Sequence, residues 1–269
     1  MKKIMIERQG WRRVVRLNGI ALIALGLISL AACNGGTGGA AKANGGGEKA
    51  QAAVEAVLDG NTLTYGEHVY AQNGEVDFGT TDYKTPTASV TFTNVPADYA
   101  EFETVYNKLL GKSPAGVAAM VPMAIELYAR DKGVGERCLK LLLNGQATVD
   151  EMVRVLKTKL DASQYGPEND QYLQRYMAAA LLKGADNANG YTPDEPYTVE
   201  LCSSPNKVKD APLSGGTVYY LFILANGWDS FQRSVEVIQP TGSEYYKVFN
   251  CPATYSQCKT IVGTWGGLK

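Results

Sequence analysis

The chain has 269 residues, of which 45% are hydrophobic, with 26 basic and 27 acidic side chains and one histidine, an ordinary globular composition. Residues 1–32 hold six of the basic residues and one of the acidic, so the 237 residues after them carry a formal charge of −6. That balance argues against nucleic acid and anionic lipid headgroups as partners, since both require basic patches. A single histidine and the lack of any Cys-x-x-Cys leave no usual zinc spacing, and no cofactor motif is visible.

In chain order, the first element is a leader. Lys2, Lys3, Arg8, Arg12, Arg13 and Arg16 precede an eleven-residue apolar run, Ile20 to Leu30. A charged region, a short apolar region and small residues before a cut are the layout of a secretory signal. The run is well short of the roughly 20 residues that span a bilayer as a helix. Arg12-Arg13 has neighbours that fit a twin-arginine signal poorly, which favours general secretion. Leu30-Ala31-Ala32-Cys33 closes the leader and resembles the lipobox of bacterial lipoproteins. The resemblance implies that residues 1–32 are removed and that Cys33 becomes a lipidated first residue. Membrane attachment through that lipid, in the bacterial cell envelope with an exported soluble body, follows as an expectation.

Residues 33–47 then read as a tether. Seven glycines fall among the fourteen residues from Asn34 to Gly47, and glycine loses the most backbone entropy on ordering. Such a stretch has a root-mean-square span of roughly 20 Å. Residues 48–95 are expected to hold a short helix over 48–59, stopped by Gly60, and a β-hairpin. The hairpin joins His68–Ala71 to Glu75–Phe78 through Asn73-Gly74, a pair suited to a type I′ turn. Ala88 to Thr93 alternates like a half-buried strand.

Residues 96–269 are expected to form an α+β domain, with helices over 96–184 and an antiparallel sheet over 197–262. Asp98 with Glu101 offers a capping box, and Ser113-Pro114 a cap with proline in the first turn. The helix opened at Ser113 is apolar nearly all round to about Arg130, which places it centrally; Pro122 should kink it. A third helix is expected over about 135–143, a fourth from the box Thr148 to Glu151, and a fifth over 167–183. Strands follow around Val199–Leu201, Val218–Leu224, Val235–Val237 and Tyr245–Phe249, with a last edge strand at 259–262. The expected shared core is Val117, Val121, Ile125, Leu156, Leu173, Val218, Ile223, Val235 and Val237.

Ser-Pro-Ala-Gly-Val-Ala-Ala-Met (113–120), Arg-Ser-Val-Glu-Val (233–237) and Tyr-Tyr-Lys-Val-Phe (245–249) resemble an uncharacterised family of exported, lipid-anchored bacterial proteins. That family is known only as a domain of unknown function, over about residues 97–262 here. The resemblance implies no catalytic residue and no ligand. Helices followed by a curved antiparallel sheet are also similar to the NTF2-like fold, an analogy of fold alone.

Candidate chemistry is thin. Gly111-Lys112-Ser113 imitates the end of a P-loop, but the glycine required five residues earlier is Tyr106. His68 would be the base of any Ser-His or Cys-His system, yet it lies in a polar strand and reads as a surface histidine. Asp194-Glu195 is the best acid pair for carboxylate-driven glycoside hydrolysis, and loop acids are usually solvated. Tyr219-Tyr220 and Tyr245-Tyr246 should each send one ring inward and one outward, so outward rings offer a platform for a protein or glycan partner. Export permits disulfides. Cys251 and Cys258 bracket a six-residue loop and are the pair most easily closed, with Cys202 as a possible substitute and Cys138 free in a helix. The functional expectation is a lipid-anchored envelope protein that binds or supports rather than catalyses. Its alternative is a carboxylate-based, glycan-directed envelope hydrolase.

Overall fold

The computed structural model describes residues 54–160, 176–211, 215–259 and 261–262. The expected signal peptide, Cys33, the tether and Leu173 lie outside them.

Among the described residues, nine strands form one sheet in which every paired neighbour is antiparallel. They are β1 (Ala56–Asp59), β2 (Thr62–Tyr65), β3 (His68–Gly74), β4 (Ala88–Phe92), β5 (Tyr197–Ser203), β6 (Lys209–Ala211), β7 (Gly216–Leu224), β8 (Gln232–Pro240) and β9 (Lys247–Asn250). The spatial order is β1-β2-β3-β4-β5-β7-β8-β9, with β6 on the β5 side of β7. The N-terminal strands are therefore not a separate region. β4 pairs with β5 from Ala88↔Leu201 to Phe92↔Tyr197 and joins both ends of the chain into one sheet.

Two expectations for residues 48–95 are corrected here. Residues 56–59 form a strand and not the end of a helix, because Ala56 to Asp59 pair residue for residue with Thr62 to Tyr65. A short isolated helix is marginal in water, and the hairpin supplies partners that it lacks. Asn73-Gly74 is not a hairpin turn. It closes β3, opposite Ser89 and Ala88 of β4, and residues 75–78 form no strand. Gly74 keeps a positive φ of 69°, and a Cβ there would come within 2.5 Å of Thr87 O. The two-residue hairpin loops are Gly60-Asn61 and Gly66-Glu67, each opening on a positive-φ glycine.

Four helices among the described residues cover one face: α1 (Tyr99–Lys108), α2 (Pro114–Arg130), α3 (Lys132–Leu142) and α4 (Gln146–Leu160). Both expected caps at α1 and α2 form. Asp98 accepts from Glu101 N at 2.9 Å, and Ser113 Oγ from Gly116 N at 2.9 Å with Pro114 in the first turn. α2 remains one helix through Pro122 and packs on α3, β4, β7, β8 and β9, the central place its all-round apolar sequence demands. Asp131 caps α3 through Val134 N, which starts that helix earlier than expected. α4 begins before Thr148, so Thr148 is no cap; its hydroxyl donates back to Asn144 O. Of the expected fifth helix, the described part is a turn and a 3-10 segment over Ala179–Leu181, ended by Gly184 at φ 79°. Of the expected last edge strand, the described residues 259, 261 and 262 lie in no strand. Lys259 N donates to Gly227 O and Val262 N to Asn187 O instead.

Val117, Val121, Ile125, Leu156, Ile223, Val235 and Val237 all lie in the shared core. Val218 is buried too, but it alternates with Tyr219 and pairs with Ile238, and both sit outside the main core cluster. Strand alternation sends it to the outer face, away from the helices. The sheet edges differ. Leu143 forms a parallel bridge to Val248, and Asn144 N donates to Val248 O, which covers β9. At the opposite edge β1 is only four residues long, with Lys108 Nζ donating to Ala56 O. A short strand met by a lysine resists pairing with another chain.

Candidate functional site

The chemistry-bearing residues do not converge. Asp194 and Glu195 are exposed. Gly111-Lys112-Ser113 forms a 3-10 turn and the α2 cap. Cys138, Cys202, Cys251 and Cys258 are all buried thiols, and no bond joins Cys251 to Cys258. Their surroundings differ. Cys251 shares a side-chain hydrogen bond with Thr254, and Cys258 one with Tyr191. Burial pushes the Cys138 and Cys251 thiols up to about 12 and the Cys202 thiol up to about 11. Thiols so shifted are poor nucleophiles at neutral pH. Among the described residues, no group of three His, Cys, Asp or Glu side chains is placed to hold a metal ion.

His68 is the clearest departure from the sequence reading. Its position on β3 puts it, with Tyr70 and Gln72, on the strand face turned to the helices. His68 Nδ1 lies 2.6 Å from Glu101 Oε1, and Tyr70 OH donates to the same oxygen at 2.8 Å. Ala97 N donates to Glu101 Oε2 at 2.7 Å. Two residues along β3, Gln72 Oε1 accepts from Ser113 Oγ at 2.6 Å, so the column reaches the N-termini of both α1 and α2. Glu101 is 2% exposed, and a buried carboxylate is tolerated only with such partners. Burial, together with the Glu101 charge and hydrogen bond, drives the Tyr70 hydroxyl far above its ordinary value. The capping-box spacing flagged Glu101. Its link to His68 and Tyr70 needs the sheet to bring residues 31 to 33 positions apart together, which no local pattern shows.

The paired tyrosines are largely committed within the body. Tyr219 packs against Phe78 and Tyr246, with ring centroids 5.3 and 5.5 Å away. Tyr245 stacks on Tyr106 at 5.7 Å, and Tyr106 OH donates to Tyr246 O. Only Tyr220 of the four faces the outer side of the sheet, with Lys209 Nζ over its ring at 5.4 Å. The same outer face carries a cleft of about 260 Å³ lined by Thr81 to Lys84, Pro205, Phe222 and Gln232. Both Cys202 Sγ and Gln232 Nε2 donate to Tyr83 O beneath it. Its volume falls below the roughly 300–1,000 Å³ of small-molecule sites.

The fold and these contacts describe an α+β body whose polar clusters mainly fasten its layers together. Residues 94–262 match the family described as domain of unknown function DUF6935, and the chain belongs to that family. No curated protein and no solved structure matches the chain.

Proposed function

We propose that this chain is a lipid-anchored protein of the bacterial cell envelope, whose α+β body acts by binding or structural support and not by catalysis. The observation that carries the reading is the stretch Leu30-Ala31-Ala32-Cys33 behind a basic leader and an eleven-residue apolar run. Seven of the fourteen residues 34–47 are glycine, the composition of a linker between that cysteine and the body. No helix among the described residues is long and apolar enough to cross a membrane, so attachment through a lipid is the route the sequence offers. The side chains that catalysis would recruit are spent elsewhere or lie apart. His68 and Glu101 fasten β3 to α1, and Asp194 with Glu195 stands exposed in a loop.

The test is metabolic labelling with an alkyne-tagged fatty acid in a bacterial host, comparing the wild type with Cys33→Ser. The wild type should take up label and sediment with membranes, and the variant should remain unlabelled. An unlabelled wild type, or a variant labelled to the same extent, would overturn the anchor.

A further inference from the structure

The outer face of the sheet, opposite the helices, is crossed by a strap of chain over residues 81–84. The Tyr83 carbonyl accepts from Cys202 Sγ of β5 at 3.1 Å and from Gln232 Nε2 of β8. Phe222 of β7 is paired with Cys202 on one side and Ser234 on the other, so it stands on that face between the two anchors. The ends of the strap are fixed as well. Thr87 N donates to Leu201 O at 3.0 Å, and Asp82 Oδ1 accepts from Lys84 N and Thr85 N at 2.9 and 3.2 Å. The cleft of about 260 Å³ under the strap therefore has walls set by the chain's own bonds. Thr81, Asp82, Lys84 and Pro205 around it are exposed, so it opens to solvent.

The charges here are balanced. Asp82 and Lys84 attract one another at the rim. From β2 to β5 the outward strand positions hold one charge, Glu200, and Lys183 Nζ meets it at 2.7 Å. The same face carries Thr62, Ala71, Thr91 and Thr198 as paired neighbours in one row across those four strands. Beyond the cleft, Glu236 lies opposite Tyr220, whose ring Lys209 Nζ covers. A charged ligand would find no uncompensated partner on such a face. A wholly apolar one would strip water from Asp82, Lys84 and Gln232 without replacing it. A pyranose meets both demands, because its C–H face packs on an aromatic ring while its hydroxyls pair with amide, carboxylate and ammonium groups. The volume suits one ring, since larger organic ligands take roughly 300–1,000 Å³. We infer that the cleft under residues 81–84 holds one neutral sugar unit of a glycan, packed on Phe222 and hydrogen-bonded at Asp82, Lys84 and Gln232. The inference gives the proposed binding role a ligand class, and it rests on that role and not on the Cys33 anchor. Failure of sugar binding would leave fatty-acid labelling of Cys33 unchanged, and the reverse holds.

The test uses the full chain in a detergent without sugar headgroups, and saturation-transfer NMR. The probes are the methyl glycosides of glucose, galactose, mannose, N-acetylglucosamine and N-acetylgalactosamine. At least one should receive saturation on its ring C–H protons, with a saturable response in the millimolar range expected of so small a ligand. Phe222→Ala should raise the half-saturating concentration about tenfold, the loss of one stacked ring. Thr81→Arg changes an exposed rim position and should abolish the response by filling the mouth with a long cation, which keeps the test decisive if Phe222→Ala does not fold. No saturable response to any of these glycosides overturns the site, as does a response that Thr81→Arg leaves unchanged. So does tighter binding of glucuronate or glucosamine than of every neutral glycoside. Tighter binding of an N-acetylated, C-amidated Ala-Pro-Pro-Ala peptide would overturn it too, in favour of a peptide groove.

Discussion

At Gly135 the second turn of α3 lies against the backbone of α2. A Cβ placed there would stand 2.1 Å from Tyr128 Cα and 2.5 Å from Tyr128 N. Backbone atoms cannot rotate aside as the end of a side chain can, so the two helices would have to separate. Gly133 on the same helix is a natural control, because its Cβ would meet only Asp131 Oδ1, at 3.3 Å. Helix propensity favours alanine over glycine by about 1 kcal/mol at either site. Gly133→Ala is therefore expected to leave stability level or raise it by up to about 1 kcal/mol. Gly135→Ala should lower it by about 1–3 kcal/mol despite the better propensity, the usual cost of overpacking. Urea unfolding midpoints of the two variants against the wild type decide this. Similar midpoints for both would show that α2 and α3 do not approach so closely.

Among the elements, β1 to β4 matter more than their place outside the family's matched range suggests. That match begins at residue 94, yet Leu63, Tyr70, Val90 and Phe92 are almost wholly buried, and β4 pairs with β5 from Tyr197 to Leu201. A chain cut to begin at residue 94 would expose that edge and strip one side of the core. It should lose cooperative urea unfolding and dispersed amide resonances, while a chain beginning at residue 48 keeps both. A sharp transition from the shorter chain would show that the matched range folds alone. The same elements mark where the sequence was legible. Strict alternation gave away β4, and β5 and β8 in part, while Ser113-Pro114 and Asp98 announced their helices through cap chemistry that is local by nature. β1 was misread because four residues carry too little period to separate strand from helix. Asn73-Gly74 was misread because Gly74 serves close backbone approach to Thr87 and not a turn. The Glu101 cluster was not legible, since it joins side chains that only the folded sheet and the helix laid on it bring together.

Over the whole molecule, the described residues hide several phenols and thiols but one carboxylate, Glu101. Burial pushes Tyr106, Tyr246 and Tyr255 up to about 12 from an ordinary 10.0, and Cys138 and Cys251 up to about 12 from 9.0. Tyr70 and Tyr191 are raised as well, first by burial and then by Glu101 and Cys258 respectively. In each case the folded state holds a proton that the unfolded chain gives up sooner. Below pH 9 both states are protonated at these groups, and their contribution to stability is fully present. As pH rises past 9 and then 10, the unfolded chain releases protons that the folded one keeps, so the folded state binds more and stability must fall. The urea midpoint is therefore expected to hold steady from about pH 7 to pH 8.5 and to drop progressively toward pH 12, as linkage across several shifted groups requires. Tyrosinate absorbance followed alongside near-ultraviolet circular dichroism separates cause from consequence. The half-buried tyrosines should ionise first, with the fold intact, and a second wave should rise together with loss of the dichroism signal. A single wave near pH 10, completed while the dichroism is unchanged, would mean that Tyr70, Tyr106 and Tyr191 are not sealed in the core.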